Sequence, residues 1–124
     1  MESIGLVIVS HSKHIAEGVV ELISKVAKDV PITYVGGTEG GGIGTSFDQV
    51  DRVVSENPAD TLLAFFDLGS AKMNLKMVTD FSDKSIIINR IPIVEGAYNA
   101  TALLQAGAEL SVIQTQLAEL EINK

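Results

Sequence analysis

The chain has 124 residues, 46% of them hydrophobic and 20% charged, which fits one ordinary globular domain and excludes a disordered chain. With no cysteine it can build no disulfide, zinc-thiolate centre or thiol nucleophile, and a reducing compartment is expected. Sixteen carboxylates against nine Lys plus Arg give a formal charge of -7, which argues against binding a nucleic-acid backbone or an anionic membrane face.

The opening MESIGLVIVSHSKH holds an apolar run of only six residues, Ile4 to Val9, with no basic region before it. Neither a signal peptide nor a membrane span is expected, and a cytoplasmic protein without stable membrane association is. That run reads as a strand buried on both faces, ending at Ser10-His11-Ser12. From Ile15 the period changes: Ile15, Val19, Leu22, Ile23 and Val26 share one side of a helix that Ser12 can cap. Pro31 opens a second strand, Ile32 to Val35, followed by the glycine segment 36 to 44, which holds six of the eleven glycines.

A second helix carries Phe47, Val50, Val53 and Val54, with Ser46 and Gln49 placed as a capping box. Asn57-Pro58 marks a turn, Leu62 to Phe66 a third buried strand, and Asp67-Leu68-Gly69-Ser70 its polar exit. Met73 and Met77 then lie one helical turn apart, with Phe66 and Met77 assigned to the core. Ser85 to Asn89 reads as a fourth strand, Pro92 to Gly96 as a rigid turn, and Ala97 to Ala106 as a helix ending at Gly107. A last helix is expected near Ser111, with Gln114 completing a capping box and Val112, Ile113, Leu117 and Leu120 free to pack.

This βαβαβαβα alternation predicts an α/β fold: a single domain over 1–124, a three-layer αβα sandwich on a mainly four-stranded parallel sheet in the order 2-1-3-4. The crevice of such a sheet lies where strand order reverses, between the first and third strands. His11 and Asp67 occupy the turns that follow those two strands.

A histidine at that turn can be nucleophile, base or ligand, or a solvated turn residue. As a phosphoryl acceptor it needs a nitrogen lone pair, and a carboxylate at the other ring nitrogen would fix the useful tautomer. Asp67 can supply that carboxylate or cap the following helix. Ser10, Ser12, Thr45, Gly69 and Ser70 are candidates to stabilise a phosphoryl group through hydroxyls or amides, against plain turn and cap duty. His14 reads as helix surface beside Lys13, and no metal motif accompanies it. GGTEGGGIGT lacks the Lys of a phosphate loop and follows the second strand, so it reads as a flexible loop, or as a lid or scaffold beside the crevice.

LVIVSHS at residues 6–12, IGT at 43–45, DLGSA at 67–71 and PIVEG at 92–96 occur in that order over nearly the whole chain. Together they resemble the phosphotransfer subunits of dihydroxyacetone kinases, a branch of the mannose-type IIA family of the bacterial sugar phosphotransferase system. The resemblance implies that His11 is phosphorylated at Nε2 by the histidine phosphocarrier protein and that Asp67 orients its other nitrogen, with Gly69 and Ser70 in the phosphate-side turn. It also implies delivery to ADP in a separate nucleotide-binding kinase subunit, where magnesium would belong, with no cofactor in this chain, and a homodimer. Mannose-type transporter relatives carry a Gly-Thr-His type pattern where this chain has Ser10-His11-Ser12, which favours the kinase branch. A sugar-transporter IIA subunit or a non-catalytic protein-binding regulator is the alternative.

Overall fold

The computed structural model describes residues 3–124, so the first two residues of the expected 1–124 domain lie outside it. The elements run β1 (Ile4–Ser10), α1 (Lys13–Ser24), β2 (Ile32–Gly36), α2 (Phe47–Glu56), β3 (Thr61–Phe66), α3 (Ser70–Phe81), β4 (Ser85–Asn89), α4 (Ile93–Gln105) and α5 (Leu110–Ala118). The four strands form one parallel sheet in the order β2-β1-β3-β4, the expected arrangement.

Strand side chains alternate between faces, and the core divides accordingly. Val7 and Val9 of β1 join Leu62, Ala64 and Phe66 of β3 under α2 and α3. Leu6 and Ile8 join Leu63 and Phe65 under α1, α4 and α5. Helices on both faces explain why β1 and β3 read as unbroken apolar runs instead of alternating ones.

Several boundaries and faces differ from the sequence reading. Pro92 to Gly96 is no free turn: Pro92 is the N-cap and 93–96 is the first turn of α4. Proline's fixed φ suits a helix start, and a Cβ on Gly96 would run into the Ile91 side chain, so glycine here permits close packing. The last helix begins at Leu110, and its N-cap Glu109 makes no side-chain capping bond, so the Ser111–Gln114 box does not form. In α1 the buried stripe is Ala16, Val19 and Ile23, while Ile15 and Leu22 face solvent and the helix ends before Val26. Met77 is 40% exposed and not core; Ala71, Leu75 and Val78 form the inner face of α3. Val112 is likewise exposed. Phe66 is buried, and Ser12 and Ser46 cap their helices as read.

Gly36 ends β2 where the chain passes against α1. A Cβ there would meet the Ser12 carbonyl oxygen, the Lys13 Cα at 2.7 Å and the Ala16 Cβ at 2.8 Å. Because two of those atoms are backbone, Gly36→Ala is expected to lower stability by about 1–3 kcal/mol, read as a reduced chemical-denaturation midpoint. An unchanged midpoint would show that α1 can retreat without cost.

Candidate active site

The β1–β3 register pairs Val9 with Phe66, so the next residues along, Ser10 and Asp67, leave the sheet side by side at its C-terminal edge. The chain then turns into α1 from one strand and α3 from the other, on opposite faces, which opens the crevice between them. His11 and Asp67 meet there.

The Asp67 carboxylate is held by four donors. Its Oδ1 lies 2.8 Å from His11 Nδ1 and accepts from the Leu68 amide at 2.7 Å. Its Oδ2 accepts from Ser10 Oγ at 2.6 Å and from the His11 amide at 3.0 Å. Burial pushes the carboxyl upward, but the bonds from Ser10, from the His11 side chain and amide, and from the Leu68 amide outweigh it and hold Asp67 below its ordinary value. An ionised carboxylate can only accept, so in the neutral imidazole Nδ1 carries the proton and Nε2 the lone pair. Nε2 lies 2.5 Å from Ser70 Oγ at the start of α3, whose hydroxyl therefore donates to it. The His11 and Asp67 side chains are only 13% and 12% exposed, so water competes weakly with the bond between them.

The main chain of His11 is clamped as well. Gly44 of the glycine segment donates its amide to the His11 carbonyl at 2.9 Å, and Gly37 donates to the Ser10 carbonyl at 3.1 Å. Gly44 has φ 142°, and a Cβ there would press on Thr38, so the segment needs glycine at that point. The segment is thus a brace under the histidine.

Of the expected residues, the structure brings His11, Asp67 and Ser70 into one line. Gly69 is the N-cap of α3, a position without a side-chain capping bond, and Asp67 does not cap that helix. Ser12 Oγ is engaged at the α1 N-terminus, accepting from Ile15 at 3.4 Å. Thr45 Oγ1 accepts from Asn74 Nδ2 of α3 at 2.8 Å, tying the glycine segment to that helix. His14 is 92% exposed and 3.9 Å from Glu17, a surface residue as read. Among the described residues no group of three or more His, Cys, Asp or Glu side chains is placed to hold a metal, and no helix is long and apolar enough to cross a membrane.

Ser10, a candidate hydroxyl for a phosphoryl group in the sequence, is instead fully buried at the end of its apolar strand and turned to Asp67. It donates to Asp67 and accepts from the Ser12 amide at 3.0 Å, so it fixes both turns. Asp67 has a depressed folded-state pKa; its contribution to stability is present above the unfolded value and is lost as pH falls through the folded one. Ser10→Ala removes one of the lowering bonds, so about 2 kcal/mol is expected to be lost at neutral pH, and the deficit should narrow in acid, where wild type loses that contribution as Asp67 is protonated. Thermal unfolding followed from neutral pH into acid reads both effects; superimposable profiles would dismiss the Ser10 bond.

A carboxylate-backed histidine thus sits at the switch point of a parallel sheet, and comparison with known proteins gives the family. The family described as "PTS system fructose IIA component" matches residues 5–114, and the chain belongs to it. The chain is 53% identical over 120 residues, 97% of its length and 98% of the relative's, to the "PTS-dependent dihydroxyacetone kinase, phosphotransferase subunit DhaM" of Lactococcus lactis subsp. lactis. It is 49% identical over 118 residues, 95% of each chain, to the "PEP-dependent dihydroxyacetone kinase 1, phosphoryl donor subunit DhaM" of Listeria innocua serovar 6a. Among solved structures, a protein of unknown function, EF1359, superposes with a TM-score of 0.84 at 25% identity, over 98% of this chain and 97% of that one. A sigma-54 interaction domain protein from Enterococcus faecalis shares the fold, with a TM-score of 0.72 at 11% identity over 95% of this chain and 90% of that one. Membership of the family makes this a PTS-linked phosphotransfer protein, and the mannose-type IIA resemblance stands on the dihydroxyacetone kinase side.

Proposed function

We propose that the chain is a phosphohistidine carrier: His11 Nε2 takes a phosphoryl group from the histidine phosphocarrier protein and passes it to ADP bound in the nucleotide-binding subunit of a dihydroxyacetone kinase. The observation that carries this reading is the Asp67–His11–Ser70 line, with contacts of 2.8 and 2.5 Å, which leaves the lone pair on the outer nitrogen. Both relatives are named as dihydroxyacetone kinase subunits, which supports the recipient.

Ser70 Oγ occupies the direction of attack, so loading begins with rotation of that hydroxyl away from Nε2. The Nε2 lone pair then attacks phosphorus in line, the donor's P–N bond breaks, and its electron pair returns to the donor imidazole. Nδ1 keeps its proton throughout. The phosphorylated ring is cationic, and the Asp67 charge beside Nδ1 offsets it, while the displaced Ser70 hydroxyl turns to donate to a phosphoryl oxygen. Unloading runs the same steps with a terminal phosphate oxygen of ADP as nucleophile, so ADP and magnesium belong to the partner and no cofactor to this chain.

Two proteins must dock in turn over His11. Ile43, Leu68 and Met73 are 78%, 59% and 69% exposed and lie on the glycine segment, the Asp67 turn and the first part of α3, the three segments that frame the histidine. They supply apolar contact area for that handoff. The proposed assembly is a cytoplasmic homodimer, as the resemblance implies.

Reconstitution tests the reading: phosphorylated carrier, this chain, and the nucleotide-binding subunit loaded with ADP and magnesium. Acid-labile phosphate on His11 followed by ATP formation is expected. Carrier binding without any phosphoryl uptake would replace the reading with that of a regulator, and uptake without delivery to ADP would remove the kinase as recipient.

A further inference from the structure

The end of the chain returns to the site. After α5 the backbone runs along the exit of β4, where the Ile122 amide donates to the Arg90 carbonyl at 2.8 Å and Arg90 Nη2 meets Glu121 Oε1 at 3.2 Å. It ends beside α3, where Lys72 Nζ donates to the Lys124 main-chain oxygen at 2.8 Å. So fastened, Lys124 sends its ammonium under the Asp67 turn: Nζ donates to the carbonyls of Phe66 at 2.6 Å and Asp67 at 3.2 Å and lies 4.4 Å from the centre of the Phe66 ring.

β4 pairs with β3 only as far as Phe65 and Asn89, so those two carbonyls lie beyond the ladder on that side, and the ammonium supplies the donor that a strand would have supplied. Burial pushes the Lys124 amine below its ordinary value, with the charge of Asp67 pulling the other way. The cation thus sits where the loss of its contacts would leave strand-end carbonyls and a nearby carboxylate without it.

We propose that Lys124 is a positioning residue for the phosphotransfer site, pinning the main chain at Phe66 and Asp67 so that the carboxylate is aimed at His11 Nδ1. The direction of the Asp67 side chain follows from its backbone, and β1 secures the turn on one side while Lys124 secures the other. Its kinetic consequence rests on the phosphohistidine reading; its effect on the ring does not.

The experiment compares wild type, Lys124→Met, Lys124→Arg and Lys72→Met by thermal unfolding, by the ring nitrogen-15 spectrum of His11, and by the kcat and KM of loading from the phosphorylated carrier. For a folded Lys124→Met we expect kcat to drop about ten- to hundredfold with KM little changed, the cost of a small misplacement at the reacting groups. The spectrum should move from the Nδ1–H form toward a mixture of tautomers. Lys124→Arg should recover most of both, and Lys72→Met should show a smaller loss. A Lys124→Met protein with wild-type kcat and ring spectrum overturns the proposal, even if it melts earlier. Should that variant not fold, wild-type values for Lys72→Met overturn it instead. If wild type itself takes no phosphoryl group, the phosphohistidine reading fails while the ring spectra still decide the placement of Lys124.

Discussion

The His11→Ala protein is expected to take no phosphoryl group from the carrier and to deliver none to ADP, a loss to below detection. No neighbouring group can replace the imidazole. Ser70 Oγ lies 2.5 Å from Nε2 in the intact site, but without the ring it has no base at that position to activate it. His14 is the chain's other histidine, yet it is 92% exposed and lacks a buried carboxylate behind it. The variant should fold, because Asp67 keeps its bonds from Ser10 and from the amides of residues 11 and 68. Intact-mass measurement at neutral pH and after acid treatment decides the point: phosphate that survives acid would reveal an ester on a hydroxyl, and acid-labile phosphate would place the acceptor elsewhere.

The sheet was legible because β1 and β3 are apolar at nearly every position, which only a parallel sheet covered on both faces explains, and the short spacing of strands and helices leaves little choice of connection. The meeting of His11 with Asp67 is legible for the same reason, since strand order alone places the ends of β1 and β3 together. Helix faces were harder. Ala16 is buried and Ile15 exposed in α1, and hydrophobicity by residue type ranks them the other way; proximity to Gly36 and the sheet decides it. The start of α4 escapes the sequence reading because Pro92 suits a turn as well as a helix opening, and the bond from the Gly96 amide to the Pro92 carbonyl makes it the second.

The remaining residues of the candidate site depend on contacts remote in sequence. Ser10 reads as part of a turn until the register sets it beside Asp67, and Asn74 is one polar residue of a helix until it reaches Thr45. Lys124 lies 57 positions from Asp67, and nothing in the local pattern of EINK points back to the sheet. Periodicity reports which face of an element is buried; it carries no information about which polar groups a fold later brings within bonding distance.

Asp67→Asn should slow loading of His11 by about 10²- to 10⁴-fold while leaving the fold intact, the range seen when the partner of a reactive imidazole loses its charge. Every group facing this side chain in the native site is a donor: Ser10 Oγ, the amides of His11 and Leu68, and His11 Nδ1. An amide has one oxygen to offer them, not two. If its nitrogen takes the place of Oδ1, it presents hydrogens to Nδ1, the ring must carry its proton on Nε2, and the attacking lone pair is gone. If its nitrogen takes the place of Oδ2, the tautomer survives, but the His11 amide loses its acceptor and the phosphorylated cation loses its counter-charge. The two orientations separate experimentally, because the first changes the ring nitrogen-15 spectrum of the resting protein and the second changes only the rate. Loading as fast as wild type, with either spectrum, would mean that Nε2 attacks without help from the carboxylate, and the role of Asp67 would reduce to holding the ends of β1 and β3 together.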